Sequence, residues 1–150
     1  MLPWVLIAAG LGILAIASER HRNPQQLQPE VVRRALATIR AMESGGKYTA
    51  QNPTSSASGA YQFLDTTWGG YGGYARAKDA PPSTQDQKAA MLVLQIQKRF
   101  GLDPKWIPAS WYAGMGGAAT IDWDTVLPGG NKSSIAQYVQ RWLDTYQKTA

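Results

Sequence analysis

The first eighteen residues, Met1 to Ser18, carry no charged side chain, and this dictates how the rest of the chain is partitioned. A helix of that length spans about 27 Å at a rise of 1.5 Å per residue, enough to cross a bilayer core. It would be apolar almost all round, so burying it in a soluble fold needs more protein than 150 residues supply. The segment is therefore expected to be a transmembrane anchor, residues 1–18, with Glu19-Arg20-His21-Arg22 marking its end. The competing reading is a signal peptide. Ala15-Ile16-Ala17 fits an A-x-A cleavage pattern, but no Lys or Arg precedes the apolar run. Residues 19–28 are polar and include Asn23-Pro24-Gln25-Gln26, which reads as a linker. That leaves residues 29–150 to form one domain with a core of its own.

Within that domain the periodicity is helical. Pro29 suits a first helical position, and Val32, Leu36, Ile39 and Glu43 then recur at spacings of four, three and four before Gly45-Gly46 stops the helix. Tyr61, Leu64 and Trp68 share a face of a second, short helix ending at Gly69-Gly70, and Gly69 to Tyr74 reads as a loop. Ser83 with Asp86 resembles a capping box opening a longer helix through Ala89 to Phe100. Its run Met91-Leu92-Val93-Leu94 predicts burial on all sides. A further helix is expected around Pro108 to Ala113. The last carries Ile135, Tyr138, Val139, Trp142, Leu143 and Tyr146 behind Ser133 or Ser134. No alternating strand is evident; a short hairpin between Lys47 and Ser58 is the one β feature the pattern permits. The fold class is mainly α.

Composition narrows the function classes. Six Trp and seven Tyr against two Phe favour rings that pair an apolar face with a polar handle, useful in cores and on carbohydrate platforms alike. The net charge of +5 comes from 15 basic and 10 acidic residues scattered along the chain. That is a poor footprint for nucleic acid and compatible with an anionic polymer. With no Cys and a single His, His21, thiolate chemistry is excluded and a metal site is not expected.

Glu43 is the chemical focus. Its register places it on the apolar face in the last turn of the first helix, in Met42-Glu43-Ser44-Gly45-Gly46. Desolvation and the negative end of the helix dipole both disfavour its charge, so its pKa is expected to rise towards that of a general acid.

Several segments in the same order resemble the lysozyme-like lytic transglycosylases. Glu43-Ser44-Gly45-Gly46-Lys47-Tyr48 is similar to the catalytic motif of that superfamily. Gly59-Ala60-Tyr61-Gln62-Phe63 with Thr67-Trp68, Gly72-Gly73-Tyr74-Ala75 and Gln85-Asp86-Gln87 resemble the resuscitation-promoting-factor branch. Ser110-Trp111-Tyr112-Ala113-Gly114 is similar to the Ala-Tyr-Asn-Ala-Gly segment of the soluble-transglycosylase branch, and Tyr138-Val139 through Leu143 to its closing helix. The resemblance covers about residues 30–146.

It implies a lysozyme-like domain acting on peptidoglycan glycan strands without metal or cofactor. Glu43 would be the catalytic acid and base. Substrate contacts would come from Ser44, Ser58, Tyr61, Gln62, Trp111 and Tyr112. For Ser44 the alternative is a helix cap, for Ser58 the end of a loop, and for Trp111 and Tyr112 a place in the core. The hydroxyl that touches the catalytic acid would come from Tyr112 or be absent, because Trp111-Tyr112 stands where the branch has Tyr-Asn.

A lytic transglycosylase needs one carboxyl group, whereas a hydrolytic lysozyme usually needs two. Glu19 and Glu30 lie too far along the chain to be the second. Asp65 is the remaining candidate, against a reading as a solvated helix residue. Hydrolysis and a non-catalytic wall-binding membrane protein are the rival readings. Basic residues flank the anchor on its C-terminal side, which by the positive-inside rule puts the domain in the cytoplasm. Peptidoglycan lies outside. An export signal overriding that bias would place it at the inner membrane facing the periplasm; a phage virion membrane within a larger assembly is the other resolution.

Overall fold

The computed structural model describes residues 24–128 and 132–149. The apolar run expected as an anchor lies outside them. Among the described residues no helix is long and apolar enough to cross a membrane. The chain divides at Val32, and the core and cleft below lie wholly on the C-terminal side of that boundary.

Five α-helices are described: α1 (Pro24–Ser44), α2 (Asp65–Trp68), α3 (Pro82–Phe100), α4 (Trp106–Thr120) and α5 (Ile135–Lys148), with short 3-10 turns at Tyr71–Gly73 and Ala77–Asp79. The mainly α expectation holds. The hairpin expected before Ser58 is reduced to isolated bridges, Gln51 with Ser58 and Ser58 with Phe63. Helix α1 begins at Pro24, so the last residues of the expected linker are helical and Pro29 lies inside the helix.

The predicted face of α1 is the buried one. Ala35, Leu36 and Ile39 join Ala89, Val93 and Ile96 of α3 and Tyr138 and Trp142 of α5 in the main core. Each large aliphatic or aromatic side chain so placed contributes about 1.5–3 kcal/mol. Trp68 is fully buried as expected, but Leu64, expected on the same face, is 46% exposed; the Trp68 Nε1 donates to Tyr74 O at 2.7 Å. A second cluster joins α4 to α5 through Ala109, Ala118, Ile135 and Val139. Ser134 caps α5 in a reciprocal box with Gln137, leaving the other proposed cap, Ser133, outside the helix.

Three local expectations are corrected. Tyr61 is not helical; α2 is a single turn that starts at Asp65. The preceding turn places Gln62 at φ 51°, a left-handed conformation that ends any helical continuity. Ser83 and Asp86 do not cap α3, whose N-cap is Pro81 without a side-chain hydrogen bond. Nor is α3 buried all round: Val93 is inside, while Met91 and Leu94 are 46% and 45% exposed.

Helix α4 outruns its expected end at Ala113 because it restarts after a break at Gly114. That residue sits at φ 72°, ψ 157°, backbone territory open essentially only to glycine. The break turns the chain at the edge of the cleft described next.

Candidate functional site

A cleft of about 690 Å³ opens beside the C-terminal end of α1. Glu43 reaches it from that end, Asn52 to Thr67 form one wall, Ser110 to Met115 another, and Tyr138 of α5 meets Glu43. Gln85 of α3 is fully buried, and its amide accepts from Ala60 N–H at 2.9 Å and donates to Tyr48 O at 3.0 Å and Ala80 O at 2.9 Å. Three stretches of irregular backbone are thereby fixed by one side chain, which satisfies polar groups that would otherwise be buried without partners. Gly59, at φ 79°, passes so close to this amide that a Cβ there would lie 2.4 Å from Gln85 Oε1.

A polar network behind the cleft locks α1 to α3. Tyr61 Oη donates to Asp86 Oδ1 at 2.5 Å and accepts from Arg40 Nη1 at 2.7 Å. Tyr48 Oη donates to the same carboxylate oxygen at 2.7 Å, and Arg40 pairs with it at 3.3 Å. Burial first, and then its bond to Asp86, holds the Tyr61 phenol well above its ordinary pKa, so it remains a donor. Asp86, read from the sequence as half of a cap, instead organises this network.

Glu43 Oε1 accepts a hydrogen bond from Tyr138 Oη. Burial raises the Glu43 pKa above the ordinary 4.5, and the Tyr138 bond opposes but does not cancel that rise. The Tyr138 phenol is itself pushed up, first by burial and then by the nearby Glu43 charge, so it stays protonated and keeps donating. The arrangement is a carboxyl group biased towards its neutral form, oriented by one hydroxyl and open to a cleft large enough for part of a polymer. No other carboxylate appears among the cleft-lining residues. Asp65 is held elsewhere, ion-paired with Arg76 at 3.3 Å, and that arginine also donates to Ser56 O at 2.9 Å.

The expected substrate contacts divide. Gln62, Trp111 and Tyr112 line the cleft. Gln62 Nε2 donates to Gly59 O at 3.0 Å, and Trp111 Nε1 donates to Tyr61 O at 3.2 Å. The Trp111 ring packs on Phe63 with centroids 5.4 Å apart, so this residue serves core and cleft together.

Two others are corrected. Tyr61 is completely buried, its hydroxyl committed to Arg40 and Asp86, and it presents nothing to a ligand. Ser58 is also completely buried; its backbone pairs with Phe63 and its Oγ accepts from Lys78 N–H at 3.4 Å. Ser44 is the helix-end residue of the alternative reading. Its hydroxyl donates to Ala60 O at 2.8 Å and accepts from Lys47 N–H at 3.0 Å. The hydroxyl on the acid is likewise not that of Tyr112, whose Oη donates to Ser133 O at 2.8 Å. Tyr112 instead stacks on Tyr138 with centroids 4.5 Å apart and a 14° interplanar angle, buttressing the ring that does touch Glu43. The signal that would have found Tyr138 was the closing Tyr-Val helix, already recognised but not connected to Glu43.

Part of the chain is similar to known proteins. Residues 32–103 match the transglycosylase-like domain family. The chain is 47% identical over 62 residues to the probable transglycosylase SceD of Staphylococcus epidermidis (strain ATCC 35984 / DSM 28319 / BCRC 17069 / CCUG 31568 / BM 3577 / RP62A), covering 38% of this chain and 28% of that protein. It is equally similar to the probable transglycosylase SceD of Staphylococcus aureus (strain Newman), of which 26% is covered. The chain thus spans little more than a quarter of the curated relatives it matches. No solved structure matches it.

Proposed function

We propose that this chain, whose residues 32–103 match the transglycosylase-like domain family, is a lytic transglycosylase that cleaves the β-1,4 bond between N-acetylmuramic acid and N-acetylglucosamine in peptidoglycan. The observation that carries this reading is the single carboxyl group of the cleft, Glu43, biased towards protonation and held by Tyr138. Glu43 donates its proton to the glycosidic oxygen as the bond to the muramic C1 breaks. The resulting carboxylate takes the proton of the muramic C6 hydroxyl, whose oxygen closes on C1. The products are a 1,6-anhydromuramic end and a new N-acetylglucosamine end, with no water consumed. One group thus serves in turn as acid and base, which is why no second carboxylate is required. In the cell such cleavage would open the wall locally, for delivery of a phage genome or assembly of a trans-envelope machine.

Mass spectrometry of the fragments released from murein sacculi tests the chemistry. Anhydro ends are expected throughout. Reducing ends, heavier by one water, would replace the transglycosylase reading with hydrolysis.

Tyr138 acts as a positioning residue through Glu43. Tyr138→Phe keeps the ring that stacks on Tyr112 but removes the hydroxyl that draws the Glu43 pKa downwards. The Glu43 pKa therefore rises further. The limb on which activity falls with rising pH, as the acid loses its proton, is expected to move to higher pH. A drop in kcat of about 10–100-fold should accompany it, within the range for a misoriented acid–base group. An unmoved limb in the pH–rate profile would remove Tyr138 from the mechanism.

A further inference from the structure

Arg141 is an exposed cation beside Tyr138, which lines the cleft, and among the described residues no acidic side chain neutralises it. It follows Tyr138 on α5 at the i+3 position. Its guanidinium carbon lies 5.9 Å from the Tyr138 ring centroid, and its Nη1 donates to Ser133 Oγ at 3.0 Å. Ser133 also receives the Tyr112 hydroxyl on its carbonyl, so one loop residue holds both the cation and the ring stacked on Tyr138. Among the described residues no carboxylate pairs with Arg141. Asp144, next along its own helix, accepts instead from Gln140 Nε2 at 2.9 Å. The positive charge also bears on the site: it draws down the pKa of both Tyr112 and Tyr138 against the larger effect of burial. A guanidinium held by a hydroxyl and an aromatic face keeps most of its donors unspent, and little rotamer entropy remains to be lost when an anion docks.

We propose that Arg141 binds a carboxylate on the side arm of the muramic residue in the cleft, and so selects anionic over neutral β-1,4 glycan. The inference rests on the glycan reading above and names what distinguishes its substrate. The sugar rings themselves offer hydroxyl and acetamido groups without charge. The muramic C3 substituent carries the anion, either as the lactyl carboxylate of a bare strand or as a carboxylate of an attached peptide. These two sources share one recognition chemistry, and the bidentate fork of arginine suits both.

The test is calorimetric binding to the full chain carrying Glu43→Gln, which prevents turnover. The three ligands are a neutral N-acetylglucosamine oligomer, a bare muramic-acid-containing oligomer and the same oligomer with its peptides. Arg141→Gln is expected to lower the ratio of anionic to neutral affinity about five-fold, the scale of an exposed but well-oriented ion pair. Arg141→Lys is expected to retain part of that ratio. Loss of preference for the bare oligomer assigns the lactyl carboxylate, and loss confined to the substituted oligomer assigns the peptide. Lys98→Gln, which removes one positive charge from α3, is expected to leave the ratio at its original value. An unchanged ratio in Arg141→Gln with binding intact overturns this inference alone, as does an equal fall in Lys98→Gln. Failure of all three oligomers to bind overturns the glycan reading and this inference with it.

Discussion

Glu43→Gln is expected to abolish the release of soluble fragments from murein sacculi, a loss of about 10³-fold or more, while the fold is retained. Glutamine has nearly the same volume and keeps an oxygen to accept from Tyr138, so the cleft geometry survives. What disappears is the transferable proton and, after it, the base. Stability should change in the opposite direction from activity. Because burial raises the Glu43 pKa in the folded state, the native protein holds this proton more tightly than the unfolded chain, whose value is near 4.5. Native stability supplied by that proton is complete below 4.5 and is lost as pH climbs through the folded pKa. Above the folded pKa the wild type bears the cost of a buried charge, and the variant does not. Thermal unfolding at pH 7 should therefore show Glu43→Gln at least as stable as the wild type, with its advantage shrinking as the pH is lowered to 4.5. Residual activity within ten-fold of wild type would remove Glu43 from the centre of the chemistry.

The largest loss of stability is expected at Gln85. Gln85→Ala removes a fully buried amide and strands the Ala60 N–H and the carbonyls of Tyr48 and Ala80. At about 1–3 kcal/mol for each buried group left unsatisfied, less what water entering the space recovers, the change should cost about 3–5 kcal/mol. For a domain of this size that lowers Tm by about 10–20 °C. Gln85→Glu provides a sharper comparison, since it keeps the acceptor for Ala60 and loses both donors to the carbonyls. A Tm within 3 °C of wild type for Gln85→Ala, measured by calorimetry, would show that the three backbone segments hold themselves.

These two residues also mark what the sequence discloses and what it withholds. Glu43 was legible because its position depends on local periodicity: Leu36 and Ile39 set the buried face of α1, and Gly45-Gly46 ends the helix just beyond. The closing helix was legible for the same reason, with Ile135, Tyr138, Val139 and Trp142 all buried. Gln85 is visible in the sequence only as part of the Gln85-Asp86-Gln87 segment, because its importance lies in three backbone groups brought to it from 5 to 37 residues away. Tyr61 was misplaced by its helical spacing from Leu64 and Trp68. A left-handed Gln62 separates it from α2, and its hydroxyl turns inwards to Asp86. The sequence offers Tyr112, or no residue, for the hydroxyl on the acid, and shows Tyr138 only as part of the closing helix. Their stacking, and the choice of which hydroxyl faces the acid, arise only when α4 and α5 pack together.

The acid and its hydroxyl are separated by 95 residues, and the match to the family model ends at residue 103, before Trp111, Tyr112 and Tyr138. Inheritance of the first segment alone would therefore deliver a proton donor with neither its orienting partner nor the opposite wall.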